Sequence, residues 1–257
     1  LIFFPIVMIT YFAMRGKASR YRWILLLIAS YYFYMSWKAE YAILILASTL
    51  VDYFVARQIP KASGERARKT LLATSLAVNL GLLFTFKYFN FFSAEVTDLL
   101  RSVSIPFSQT TLNVLLPVGI SFYTFQTLAY TIDVYRGRIE PEKHFGKFAV
   151  YVSFFPQLVA GPIERAQHLI PQINNTDKIK FDSDRTISGL KQMVWGFMQK
   201  VLIADRLALF VNHAYADPAS QSGAALAIAT IMFGFQIYCD FAGVLQHCHR
   251  SCQNIRD

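Results

Sequence analysis

Apolar runs recur along the sequence, at about 1–14, 23–37, 41–56, 71–92, 114–134, 148–163 and 224–241, with more polar stretches between them. A bilayer core of about 30 Å takes roughly 20 mostly apolar residues per helical span, so runs of this size, repeated, exclude a lone anchor and make lipid the solvent of the fold. Segments of that size are read as spanning helices. With 54% hydrophobic and 16% charged residues, the chain is too apolar for a soluble domain of 257 residues.

The formal net charge of +9 does not point to nucleic acid, because the basic residues sit in short clusters between apolar runs rather than on one polar face. They read as topology. The first connection carries Arg15, Lys17, Arg20 and Arg22, and the second only Lys38. The third carries Arg57, Lys61, Arg66, Arg68 and Lys69, and the fourth Arg101 beside Glu95 and Asp98. The fifth has Arg136, Arg138, Lys143 and Lys147. The positive-inside rule then places odd connections in the cytoplasm and the N-terminus outside, with five spans before Arg136. Tyr31, Tyr32, Tyr34, Trp37 and Tyr41 would form an aromatic belt at the outer interface. The first run, which opens on Leu1, reads as a span and not a signal peptide, since no small-residue cleavage site follows it.

Ionisable groups at mid-depth cost about 2.5 to 3.5 kcal/mol on insertion scales, so those within the runs need an account. Asp52, Lys87 and Asp133 are read as lying near span ends, where snorkelling or a local cap serves. Asp240, in FQIYCDFAG, has no basic neighbour in sequence and must find a polar partner within the bundle or line a wet cavity. The segment SFFPQLVAGPIERAQHLIPQI places Pro156, Gly161 and Pro162 in a short apolar run. Broken backbone at membrane depth is tolerated only where it is buried in protein or lines a cavity, so the segment is a tunnel element or a kinked packing helix. Residues 186–213 have apolar side chains near helical spacing, interrupted by Lys191, Gln199, Lys200, Asp205 and Arg206, and predict a helix partly interfacial and partly packed.

Four runs in order, LPVGISFYTFQTLAYTIDVYRG, YVSFFPQLVAGPIERAQHLIPQ, WGFMQKVLIADRLA and IYCDFAG, resemble the membrane-bound O-acyltransferase family. The resemblance is nearest to its alginate O-acetylation branch, with the D-alanyl transfer branch more distant, and covers the chain up to Gly243. It implies an all-α polytopic transmembrane bundle with a re-entrant or broken helix in a bacterial cytoplasmic membrane. An acyl donor such as acetyl-CoA enters as substrate and no cofactor is implied. The acyl group passes through a protein-lined tunnel to an exported polysaccharide or an extracytoplasmic acyltransferase partner. The catalytic histidine of that scheme lies in tryptophan-histidine motifs past IYCDFAG. His144, His168, His213, His247 and His249 lie in no such motif, so no catalytic residue is assigned. By motif, Pro156, Gln157, Gly161, Pro162 and Arg165 would shape the tunnel, while Lys200, Tyr238 and Asp240 would supply polar contacts nearby.

Residues 1–243 thus read as the front part of the transmembrane domain and 244–257 as an aberrant tail. The tail, VLQHCHRSCQNIRD, gathers His247, Cys248, His249 and Cys252, but the ligand spacing is too tight for a paired-ligand metal knuckle and reads as accidental. Permitted codons for His247 onward, with the first base dropped, spell Ile-Ala-Ile-Gly-Leu-Ala-Lys-Ile-Leu-Gly, close to the continuation the family resemblance implies. A frameshift after Gly243 is therefore expected, leaving a truncated, inactive and poorly folding chain. The rivals are a transporter or channel fragment binding substrate at the Pro/Gly-broken helix, and a nonfunctional relic.

Overall fold

The computed structural model describes residues 2–103, 111, 117–158, 164–179 and 181–253, with side chains described to residue 242. Among the described residues all regular structure is helical, as the continuous apolar runs require. The chain divides into two compact units, residues 1–159 with 163–177, and residues 160–162 with 178–257.

The first unit begins with α1 (Phe3–Ala13), α2 (Arg22–Met35), α3 (Tyr41–Gln58) and α4 (Glu65–Leu83). A π-turn at Phe84–Tyr88 leads into α5 (Phe89–Ser102). There follow α6 (Ile120–Tyr135), α7 (Phe145–Ser153), the single turn α8 (Phe155–Leu158) and α9 (Ala166–Asn174). α3 packs on α4 and α6, α4 also packs on α6, and α7 rests on α2, α3 and α9. Ile45, Ala56, Ile59, Tyr123, Tyr130, Phe148, Val150 and Tyr151 fill the centre, each at most 1% exposed. The second unit comprises α10 (Ser183–Met198), a π-turn at Gln199–Ala204, α11 (Asp205–Ala216) and α12 (Gly223–Gln253), with α12 packed along the other three.

Among the described residues three helical stretches, Tyr41–Lys61, Glu65–Ser102 and Gly223–Ala242, are long and apolar enough to cross a bilayer. The chain is a membrane protein with an all-α bundle architecture. Of the five spans expected before Arg136, α2 and α6 run 14 and 16 residues. At 1.5 Å per residue these reach about 21 to 24 Å, short of a full hydrocarbon core. The helix over 186–213 forms as expected, with a π-turn at its middle. The aromatic belt splits: Tyr32 and Trp37 face outward at 62% and 70% exposure, whereas Tyr34 and Tyr41 turn into the unit.

Asp52 departs from expectation. α3 runs past Ala56, and with Ile59–Lys61 the helical stretch ends at residue 61, so Asp52 lies near its middle and is wholly buried. Its carboxyl accepts from the Ser75 hydroxyl and from Asn79 Nδ2, the latter at 2.9 Å to each oxygen. Asn79 Oδ1 in turn accepts from Ser48 Oγ at 3.0 Å and Thr127 Oγ1 at 3.4 Å, and Ser75 Oγ lies 3.5 Å from Thr131. Polar side chains bridging helices in this way stabilise membrane bundles, where apolar contacts give no net preference over lipid.

A second polar clasp closes the end of the unit. Arg22, 4% exposed, donates to the carbonyls of Met14 at 3.1 Å and Thr176 at 3.0 Å, and its guanidinium lies 4.7 Å from the Tyr11 ring centroid. Backbone dipoles and an aromatic face thus help to satisfy the charge.

Candidate functional site

The broken segment starts where α7 stops. Phe154 adopts φ −55°, ψ 107°, which ends the helical hydrogen bonding at Ser153 and redirects the chain into α8. The amide of Phe155 freed by this bend donates to Ser30 Oγ of α2 at 3.2 Å, a buried side-chain partner of the kind a helix break in lipid requires. Phe155 then inserts among Phe3, Phe4, Phe33 and Phe154, with ring centroids 5.2 to 6.3 Å away. Upstream, Gln126 Nε2 donates to the Tyr151 carbonyl at 2.8 Å and Tyr151 Oη returns a bond to the Gln126 carbonyl at 3.3 Å, locking α6 to α7. The described half of the segment is therefore a packed break.

Of the residues assigned to tunnel shaping, Pro156 is half-buried and Gln157 is buried in α8. Arg165 is exposed just before the first residue of α9. Gly161 and Pro162 lie outside the described residues. So do the side chains of the tail, including His247, Cys248, His249 and Cys252, although the backbone of α12 remains helical to Gln253.

In the second unit the partner required by Asp240 is Lys200. Lys200 Nζ lies 2.8 Å from Asp240 Oδ1 and 2.9 Å from Asp205 Oδ1. Lys200 and Asp205 are five residues apart and would diverge on a regular α-helix. The π-turn at Gln199–Ala204, with its i→i+5 bonding, brings residues at that separation onto one face. The hydrogen bonds that Lys200 donates to Asp240 and then to Asp205 hold its ammonium above its ordinary pKa. Tyr238, two residues before Asp240, is 66% exposed and does not share its face. The structure thus joins Lys200 and Asp240 from two separate motifs and adds Asp205, which the sequence reading had noted only as an interruption of the helix.

The remaining ionisable groups have structural partners. Arg138 pairs with Asp133 at 3.3 Å, and Lys87 donates to Ser121 Oγ at 3.3 Å. The Asp52 network was missed, although Ser48 with Asp52, Ser75 with Asn79, and Thr127 with Thr131 each stand four apart, a spacing that puts both members on one helix face.

No family model matches the chain. It is similar to the probable alginate O-acetylase AlgI of Pseudomonas aeruginosa, 35% identical over 244 residues, covering 94% of this chain and 45% of that protein. The probable alginate O-acetylase AlgI of Pseudomonas putida is 36% identical over 94% of this chain and 48% of its own length. A peptidoglycan O-acetyltransferase of Helicobacter pylori is 29% identical over 94% of this chain and 50% of its own length. The chain spans about half the length of the curated relatives it matches. The resemblance read from the four motifs is borne out along nearly the whole sequence.

Proposed function

Taking the chain as an AlgI-like sequence of the membrane-bound O-acyltransferase family, we propose that the protein it represents O-acetylates an exported polysaccharide. The observation that carries this reading is the similarity along 94% of the chain to proteins named as O-acetylases, joined to an all-α membrane architecture. The two acceptors in those names are alginate and peptidoglycan.

The transfer proceeds from a cytoplasmic acyl donor such as acetyl-CoA. The thioester C–S bond breaks, an ester C–O bond forms on a sugar hydroxyl or on an intermediate acyltransferase partner, and the hydroxyl proton leaves through a general base to the departing thiolate. No residue of this chain is given the role of base. Pro156, Gln157, Gly161, Pro162 and Arg165 shape the acyl path, and Lys200, Tyr238 and Asp240 supply polar contacts. The protein sits in a bacterial cytoplasmic membrane with its N-terminus outside, as the alternation of basic connections supports.

The test starts with the gene, resequenced through the codons for Asp240 and several hundred bases beyond. Its longest frame is then expressed in a host lacking its own polysaccharide O-acetylase, and polymer acetyl content is read by NMR. Restored acetylation supports the proposal. An intact frame that inserts in the membrane and restores none on either alginate or peptidoglycan refutes it.

A further inference from the structure

The ends of α3, α4 and α6, with the turn leading to α7, border a half-open cavity of about 550 Å³ that plays no part in the reading above. Arg57, Lys61, Arg68, Arg138 and Lys143 line it, against the single carboxylate of Glu140. Its volume falls within the range of small-molecule sites, roughly 300–1,000 Å³.

The guanidinium groups are held in place. Arg57 Nη1 donates to Tyr53 Oη at 3.0 Å and lies 5.4 Å from that ring's centroid. Arg68 Nη2 donates to the Tyr135 carbonyl at 2.7 Å, its guanidinium lies 5.4 Å from the Tyr135 ring, and its buried Nε–H has no partner among the described residues. Arg138 is neutralised in part by Asp133. Among the described residues Arg57, Lys61, Arg68 and Lys143 form no ion pair.

The wall opposite is equally fixed. Gly137 takes φ +70°, a conformation that permits the chain to fold back after α6. Arg138 N then bonds to the Asp133 carbonyl at 2.9 Å, the Glu142 amide donates to Tyr130 Oη at 2.9 Å, and Tyr53 Oη donates to the Lys143 carbonyl at 2.6 Å. A cluster of uncompensated cations on rigid supports beside membrane helices matches a phosphate, which accepts several charge-assisted bonds at once.

We propose that this cavity binds a phosphate group at the membrane surface, presented by an anionic phospholipid headgroup or by a soluble phosphorylated molecule. The inference is independent of acyl transfer. The full chain is purified in a neutral detergent and its thermal unfolding is titrated separately with phosphatidylglycerol in mixed micelles, with phosphatidylcholine, and with inorganic pyrophosphate. Lys61→Gln/Lys143→Gln changes two exposed side chains at the cavity. Lys17→Gln/Arg20→Gln removes the same charge from the first basic connection, and Lys61→Arg/Lys143→Arg keeps the charge in place.

At about 1 kcal/mol for each basic residue near a phosphate surface, the cavity variant is expected to bind at least about tenfold more weakly, while the other two stay within about threefold of the parent. That pattern with phosphatidylglycerol but not phosphatidylcholine identifies the headgroup as the source. The same pattern with pyrophosphate alone identifies a soluble phosphate. Equal weakening in Lys17→Gln/Arg20→Gln, or no response of the parent to either anion, overturns the proposal.

Discussion

Replacing Asn79 by alanine removes the centre of the buried network that joins α3, α4 and α6. Its side chain donates to both Asp52 oxygens and accepts from Ser48 and Thr127, so four interhelical bonds disappear. Thr127 keeps its bond to the Thr124 carbonyl at 3.1 Å, but Ser48 and Asp52 lose partners in a site with no exposure. A figure of about 1–3 kcal/mol per buried group left unpaired gives up to about 6 kcal/mol for those two. The average of about 0.6 kcal/mol per interhelical bond in membrane proteins gives about 2.4 kcal/mol for four. The smaller scale governs here, because an unfolded chain still in detergent or lipid finds other partners for these groups, and the expected loss is about 2–3 kcal/mol.

Asp52→Leu/Asn79→Leu, which removes donor and acceptor together at similar volume, is expected to lose less than the two single leucine variants combined by at least about 1 kcal/mol. The assay is SDS-titration unfolding in mixed micelles, followed through the fluorescence of the three tryptophans. Asn79→Ala within about 0.5 kcal/mol of the parent, or leucine variants that add to within about 0.5 kcal/mol, would refute the account of the network.

Other perturbations follow from the same geometry. Arg22→Met leaves the Met14 and Thr176 carbonyls without their cation and should lose about 2–4 kcal/mol in the same titration; Arg22→Lys, lacking the fork, should recover less than half of it. A β-carbon at Gly146 would fall inside the van der Waals envelope of the Trp23 ring, itself packed edge-on to His144 at 4.7 Å, so Gly146→Ala should lower stability by about 1–3 kcal/mol and shift the tryptophan emission. Lys200→Met breaks two ion pairs and Asp205→Asn only one, so the first should destabilise more, by about 1 kcal/mol given the half-exposed side chains; equal melting temperatures would argue against a shared clasp.

How much was legible in the sequence depends on the physics of each element. Apolar runs announce helices in lipid, and α3, the apolar part of α4 and α12 were visible as such, whereas the residues from Ser93 to Ser102, read as a polar connection, continue the helix as α5. Their packing was not, because in a continuously apolar helix no periodicity distinguishes lipid-facing from protein-facing positions: half of the α3 apolar window is buried, against 11% of that of α12. Asp52 was misplaced because the polar Arg57 and Gln58 looked like the end of a span, whereas the helix runs through them. Asp240 was read correctly as needing a partner, but the π-turn that delivers Lys200 has no signature in residue spacing. The basic residues of the cavity were used for topology alone, since only the tertiary fold shows that they converge.

The Asp52 network also bears on how the chain enters the membrane. α3 carries a carboxyl at mid-depth, which a helix partitioning alone would insert at a penalty of about 2.5–3.5 kcal/mol. Its first partners, Ser75 and Asn79, arrive with α4, 23 and 27 residues later in synthesis, while Thr127 and Thr131 come only with α6. The smallest piece that satisfies Asp52 is then the α3–α4 hairpin, so these helices should leave the insertion machinery as a pair. A chain stopped before Ser75 would hold α3 at the translocon rather than release it to lipid.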